Sequence, residues 1–369
     1  MQSRTPTARQ PRKTSRADGR RWNLLTTLQT IASQGTTSRA EVARLTGLTR
    51  PTVSTLVTDL IDEGLVLELG LGEPTSTGKP PTMLGINPTG RQIVAIDLSQ
   101  QPARGALVNL DGSLGHVASA PGSAVGPAAV ESAISLIDTC LAHASGPILG
   151  IGVGTPGMID HDGTISLAAH LDWHDVPLAS LLGDRFGLPV VVGNDAHVAA
   201  LAQLQSNPED ADTLLLVAVG TGIGAGMVLD GTLHTGQHQS FGEIGHVVVD
   251  PDGAACRCGL AGCLETVASV PAIARIGDDF DPVDLERAGH RLGATLAVVV
   301  SAIDVDRIVL AGELATHAAW VDAVGDEVRG RIHPARRGAL TVTASTTTEP
   351  VLAGAAAAVM GDVLGVVLR

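Results

Sequence analysis

Residues 105–114 read GALVNLDGSL and residues 224–233 read GAGMVLDGTL. Six of these ten positions are identical, and Ser113 stands opposite Thr232 as a close match. Upstream, Val94-Ala95-Ile96 parallels Val217-Ala218-Val219. Each copy reads as strand, turn, strand, then an Asp-Gly turn and the start of a further strand. A hairpin that recurs at the head of two mixed α/β segments predicts a duplicated fold of two lobes with a cleft between them, where ligands commonly sit. The chain has 369 residues, room for two or three domains. Aromatic residues make up only 2% and tyrosine is absent, so the cores must be built from Ala, Val, Leu and Ile.

The two copies differ at the first turn. The second copy has Gly220-Thr221-Gly222-Ile223-Gly224, a run whose backbone N–H groups could form an anion nest. The first has Asp97-Leu98-Ser99-Gln100-Gln101-Pro102-Ala103-Arg104, longer, without glycine, and with a proline that donates no hydrogen bond. A phosphate clamp made from both turns would lack half its donors. Glycine-rich turns are weak signals by themselves, because hairpins need glycine for positive φ anyway.

Between the copies, GIGVGTPG (150–157) reads as an apolar strand and turn, and LPVVVGND (188–195) as a buried strand delivering Asn194 and Asp195 to its end. Strand ends that open into a cleft carry functional side chains. Asn194 and Asp195 could bind hydroxyl groups, Asp195 could act as a general base, or either could merely cap the Ala-rich helix that follows. The pattern leaves these readings open. Further on, Ala311-Gly312-Glu313 follows a strand, and residues 350–368 read as a long Ala/Val helix packed on the first lobe.

The segment FGEIGHVVVDPDGAACRCGLAGCLE (241–265) contains His246, Cys256, Cys258 and Cys263, one nitrogen and three sulfur ligands, a full set for a closed tetrahedral zinc site. Three of the four cysteines fall here, and Cys140 stands alone in an apolar stretch. Clustered thiols in a cytoplasmic chain point to metal more often than to disulfides; a redox switch on Cys256 and Cys258 is the lesser alternative. Glu243 and Glu265 flank the cluster without being needed as ligands, which implies that something else binds beside it.

Charge is divided unevenly. Residues 1–91 hold 12 Lys and Arg against 7 Asp and Glu, whereas the rest hold 12 against 31, within an overall net charge of −14. A basic head on an acidic body fits a nucleic-acid-binding module joined to another domain. Residues 1–20 lack apolar periodicity and are expected to be disordered. From Trp22 a helical pattern runs to Gly35. Ser38 and Glu41 make a capping box for a short second helix. Thr46-Gly47-Leu48 supplies a turn, and Thr49 caps a third helix with Pro51 in its first turn. Two helices joined by such a turn read as a helix-turn-helix, with Arg50, Thr52, Ser54, Thr55 and Thr58 toward the major groove. Two strand-like segments, 65–69 and 83–86, with Lys79 in the loop between them, complete a winged variant. A helical hairpin that touches no DNA remains the alternative. No apolar run approaches the ~20 residues of a spanning helix, and no apolar segment follows the basic start, so the expectation is a cytoplasmic protein without a secretory signal.

From Ile93 onward the chain resembles the ROK family of sugar kinases and sugar-responsive repressors, and the winged helix-turn-helix matches its transcriptional-regulator branch. The resemblance rests on Glu243-Ile244-Gly245-His246, then Cys256-Arg257-Cys258-Gly259, Cys263 and Glu265. It implies an α/β chain: an N-terminal winged helix-turn-helix, then a duplicated two-lobed actin-like ATPase (ribonuclease H-like) fold. The expected domains are a tail (1–20), the DNA-binding domain (21–91), a first lobe (92–198 with 345–369) and a second lobe with the metal loop (199–344). The resemblance also implies one structural zinc on His246, Cys256, Cys258 and Cys263. It places a sugar against Asn194, Asp195, Glu243, His246 and Glu265; in the family's kinases the residue matching Asp195 is the catalytic base. Three departures bear on activity, the first two weakening the nucleotide site and the third, at a sugar-side position, altering or reducing sugar contacts. The Asp-Ile-Gly-Gly-Thr type turn is replaced by residues 97–101, the adenosine-side turn carries Glu313, and an asparagine before Leu-x-Trp is replaced by His170, ahead of Leu171-Asp172-Trp173. Phosphoryl transfer depends on positioning and charge stabilisation, so Gly220, Thr221, Gly222 and Gly224 are expected to be a vestigial phosphate site. The expectation is a regulator, a repressor of carbohydrate-metabolism genes, binding double-stranded operator DNA and a sugar effector as a homodimer or homotetramer. An ATP-dependent sugar kinase with an appended DNA-binding domain is the alternative.

Overall fold

The computed structural model describes residues 16–73, 80–206, 213–237, 239–274 and 280–365. The chain divides into two compact units, Met1–Asn87 and Pro88–Arg369.

In the first unit, helix α1 (Arg16–Gln34) begins six residues before Trp22, inside the stretch expected to be irregular. Its opening turns are polar, so apolar periodicity could not reveal them, and Arg20 is tied to Asp59 at 2.8 Å. Gly35 at φ 64° ends the helix. After the short strand β1 (Thr37–Ser38), the Ser38 hydroxyl caps α2 (Arg39–Thr46) by accepting from the Glu41 N–H. Gly47 at φ 70° closes α2, and Thr49 caps α3 (Arg50–Asp62) by accepting from the Thr52 N–H. Caps of this kind contribute ~1 kcal/mol each. Val53, Leu56, Val57 and Leu60 bury one stripe of α3. Strands β2 (Val66–Leu71) and β3 (Thr82–Ile86) pair antiparallel, with β1 on the other side of β3. The unit is a winged helix-turn-helix. Lys79, in the wing loop, lies outside the described residues.

The second unit holds two five-stranded sheets of matching design. The first uses β4 (Gln92–Asp97), β5 (Arg104–Asn109), β6 (Leu114–Ser119) and β7 (Ile148–Thr155). A three-stranded flap follows: β8 (Met158–Ile159), β9 (Ile165–Ala168) and β10 (Trp173–Val176). Strand β11 (Val190–Asn194) then completes the first sheet in the order β11-β7-β4-β5-β6. The second sheet, from β12 (Leu214–Val219), β13 (Ile223–Leu229), β14 (Thr232–His234), β15 (Arg307–Ala311) and β16 (Thr341–Ala344), has the order β14-β13-β12-β15-β16. In both, one antiparallel meander leads into two parallel strands, so the ten-residue repeat marks the same hairpin twice.

The first sheet packs against α4 (Pro127–Ala142) and α5 (Leu178–Phe186), in a core that includes Ile137, Ile151, Leu171 and Trp173. The second packs against α7 (Glu265–Ala268), α8 (Val270–Ile273), α9 (Pro282–Ile303) and α10 (Ala318–Arg331), in a core that includes Leu292, Leu296 and Trp320. Helices α6 (Asp195–Ser206) and α11 (Pro350–Val359) cross between the sheets. They approach so closely that a Cβ on Gly354 would lie 1.7 Å from the Val198 carbonyl oxygen. Likewise a Cβ on Gly226 would lie 2.3 Å from that of Ala196, so the repeat's divergence to glycine at this position seats α6 on β13. Residues 366–368 of the expected C-terminal helix lie outside the described residues. Up to there, α11 passes into a π-helical turn (Met360–Leu364) capped by Gly365 at φ 68°. Among the described residues no helix is long and apolar enough to cross a membrane.

Candidate functional site

A cleft of about 1110 Å³ opens between the two sheets of the second unit. At its floor β11 delivers Asn194, and α6 begins with Asp195. The Asn194 side-chain oxygen accepts from the Ala196 and His197 N–H groups at 3.0 and 3.2 Å, and its amide nitrogen donates to the Gly157 carbonyl at 3.1 Å. Asn194 therefore caps the helix, with one amide hydrogen left over, and both Asn194 and Asp195 line the cleft. Burial, reinforced by the charge of Asp97, pushes the Asp195 carboxyl up to about 6. Glu243, just before a 3-10 turn at Ile244–His246, is pushed up to about 7 by burial and by the charges of Asp195 and Glu265. Burial opposes ionisation of Glu265 too, but the hydrogen bond from His170 leads the contacts that together outweigh it and hold this carboxyl below its usual range.

The metal loop forms the adjoining wall. The ligand atoms of His246, Cys256, Cys258 and Cys263 lie within 4.8 Å of one another. His246 Nδ1 is 3.6 Å from the Cys256 sulfur, and the Cys258 and Cys263 sulfurs are 3.6 Å apart. Ligands at zinc bond lengths on a shared tetrahedral centre would be separated by roughly 3.6–3.8 Å, whereas a disulfide needs about 2 Å. The donor set therefore fits a tetrahedral metal. The loop is drawn together by the bridges Val248↔Cys263 and Ala255↔Ala261. With Nδ1 toward the sulfurs, His246 turns Nε2 toward the Glu243 carboxylate, 3.7 Å away, along the cleft.

The first turns of the two repeats are engaged by the chain's own groups. Asp97 accepts from the Ser99 N–H and hydroxyl and from the Gln100 side chain, folding the first turn on itself. In the second turn the Gly220 N–H goes to the Gly222 carbonyl, and the Ile223 N–H goes to the Glu265 carboxylate at 3.3 Å. Glu313 and Glu349 line the same end of the cleft, and Glu349 pairs with Arg104. Gly312 is forced by space: a Cβ there would meet the Val219 carbonyl oxygen at 2.0 Å. Sequence reasoning did not find Arg104, His197, Arg257 or Glu349. Arg257 carried a usable signal, since its place between two candidate metal-ligand cysteines sets it beside His170 at the cleft.

On α3 of the first unit, Arg50, Ser54, Thr55 and Thr58 are exposed. Thr52 is half-buried, its hydroxyl shared with that of Thr49 at 2.8 Å. Thr55 and Thr58 donate back to the Pro51 and Ser54 carbonyls. The expected five therefore share one helix, four of them accessible and Thr52 drawn into the cap.

Residues 93–361 match the ROK family profile and residues 23–70 the IclR helix-turn-helix domain profile. A putative xylose repressor of Caldicellulosiruptor sp. is 37% identical over 259 residues, 68% of this chain and 64% of that protein's length. The match therefore spans slightly less than two thirds of that relative. A glucokinase of Halalkalibacterium halodurans is 46% identical over 135 residues, 36% of this chain and 41% of its own. Among solved structures, a ROK family transcriptional regulator, homologue of the Escherichia coli MLC protein, superposes with a TM-score of 0.78 at 24% identity. It covers 94% of this chain and 96% of its own, and that likeness speaks to fold: a winged helix-turn-helix joined to the two-lobed, actin-like body.

Proposed function

The chain belongs to the ROK family, and from that premise we propose that it is a sugar-responsive, DNA-binding transcriptional regulator acting as a repressor. The observation that carries this reading is the asymmetry of the cleft. Asp195, Glu243 and His246 line it together, while the first turns of the two repeats are served by the chain itself: Asp97 holds the first turn folded, Glu265 takes the Ile223 N–H of the second, and Glu313 and Glu349 add carboxylates to the lining. Nucleotide phosphates would meet carboxylates where they need donors, and phosphoryl transfer has little else to draw on than positioning and charge.

In this reading Asn194, Asp195, Glu243, His246 and Glu265 hold sugar hydroxyls. His246, Cys256, Cys258 and Cys263 hold one zinc, which supplies structural cross-linking only, because all four positions are filled by protein. Three converging carboxylates favour a neutral sugar over a phosphorylated or acidic one. Arg50, Thr52, Ser54, Thr55 and Thr58 meet the major groove, with Lys79 from the wing on the backbone. A dimer or tetramer would set two recognition helices on half-sites about 34–36 Å apart, and closure of the cleft on a sugar would change that spacing.

The test is a gel-shift series on the fragment upstream of the protein's own gene, with neutral and phosphorylated sugars, alongside a coupled ADP-release assay. Salt-sensitive binding released by a neutral sugar, without ADP release, is expected. No shift under any condition would sink the regulator reading. Sugar-dependent ADP release abolished by Asp195→Asn would replace it with the kinase, which the retained Asp195 and the glycine turn at 220–224 motivate.

A further inference from the structure

His170 sits in the turn between β9 and β10, on the side of the first sheet. Its Nε2 is 3.3 Å from Glu265 Oε1, on the side of the second. Its Nδ1 is 3.2 Å from Nη1 of Arg257, which stands between Cys256 and Cys258 of the metal loop. A guanidinium can only donate, so Nδ1 accepts, the ring carries its hydrogen on Nε2, and that hydrogen goes to Glu265. The other Glu265 oxygen takes the Ile223 N–H at 3.3 Å. A polar clasp thus runs Arg257 to His170 to Glu265 to the second turn, with His170 reaching from the first side of the cleft to two partners on the second. Gly222 leaves room for it: a Cβ there would lie 2.7 Å from Glu265 Oε2 and 3.1 Å from His170 Nε2.

Both ring nitrogens of His170 are therefore spent within the protein, and what the ring has left for a ligand in the cleft it lines is carbon. Each Glu265 oxygen, with one partner, can still accept a hydroxyl. We propose that His170 is a specificity-determining residue that makes this part of the cleft read a C–H face of the sugar, with Arg257 as the residue that positions it. A sugar hydroxyl aimed at the ring would lose its water and find no partner, which disfavours it. The preferred ligand gives hydroxyls to Glu265 and turns to His170 a carbon bearing no hydroxyl. This rests on the sugar-binding reading above and narrows it to a ligand class.

The experiment is calorimetric titration of wild-type protein and His170→Asn with neutral sugars and their monodeoxy analogues. Asparagine keeps a donor and an acceptor free for a hydroxyl. For one position of the sugar, wild type is expected to bind the deoxy analogue at least as tightly as the parent. His170→Asn should swing that ratio toward the parent by about tenfold or more. If sugars bind and no ratio moves beyond about twofold, this inference is overturned and the sugar reading stands. If no neutral sugar binds wild type, both fall. Nitrogen-15 spectra of the wild-type histidines give a check that needs no stable cleft variant. A His170 ring protonated on Nε2 alone is expected, and a ring protonated on Nδ1 overturns the clasp. Arg257→Met should release the tautomer and Arg257→Lys restore it, which a merely structural arginine would not do.

Discussion

His197 Nε2 lies 2.7 Å from the Phe241 carbonyl oxygen, and this bond ties the helix that begins with Asp195 to the segment that carries Glu243. The ring is buried, 4% exposed, and burial pushes it below the ordinary histidine range, with the charge of His234 adding to the effect. A neutral ring donating from Nε2 is the arrangement that fits. His197→Leu leaves a buried carbonyl without its partner, a cost of about 1–3 kcal/mol. The pH dependence has a definite sign. With its folded value depressed, His197 contributes stability that is present above its unfolded value of about 6.5 and lost as pH falls through the folded value. Thermal melts of wild type and His197→Leu should therefore differ most near pH 8 and converge toward pH 5.

Asp195 and Glu243 act in the opposite sense. Both carboxyls are pushed up, to about 6 and about 7, chiefly by burial. The folded protein then holds their protons more tightly than the unfolded chain, so stability declines as pH rises from about 4 toward those values. Asp195→Asn removes one ionising group and keeps a side-chain oxygen. The expected result is a higher Tm than wild type at pH 8, by about 2–4 °C for each kcal/mol of relieved repulsion, with little difference at pH 4.5. The same variant should lose its sugar-induced thermal shift. Gain of stability with loss of ligand response marks a site tuned for binding; a Tm lowered at pH 8 would contradict that account.

For the metal loop, the expectation is one zinc per chain by elemental analysis, lost with Cys258→Ser. A ligand held at about a thousand times its Kd stabilises by about 4 kcal/mol, which in a unit of this size corresponds to roughly 10 °C of Tm. Chelation of wild type should reproduce the drop, and zinc should restore it. Full stability of metal-free protein would return the thiols to a redox role.

The fold was legible wherever a local rule decided it. The caps at Ser38 and Thr49 follow from side chains that accept nearby N–H groups, and the hairpin repeat follows from a period shared by two strands. The start of α1 at Arg16 was not legible, because a polar first turn leaves no apolar stripe. The gathering of His246, Cys256, Cys258 and Cys263 could be read from their spacing. The clasp could not: His170 and Arg257 are 87 positions apart and meet only because two sheets close on one cleft. The division of labour between Asn194 and Asp195 was undecidable in sequence for a related reason. Either can cap a helix, and only the position of the Asn194 side-chain oxygen against the Ala196 and His197 N–H groups shows which one does.

Arg50 is exposed at the first position of α3, directly after the Thr49 cap. If it contacts a base edge, Arg50→Ala should cost about 1–3 kcal/mol on the specific fragment and relax the sequence preference at one position of the half-site. If it contacts phosphate, binding should weaken evenly on all fragments, and the slope of log K against log salt should fall by about one. Ser54 and Thr55 are exposed one turn farther along the same helix, so Ser54→Ala should alter preference at a neighbouring position without changing the salt slope. Fluorescence anisotropy over a salt series, on the specific and on scrambled fragments, separates these outcomes. Unchanged affinity and slope in Arg50→Ala would remove this face of α3 from the DNA contact.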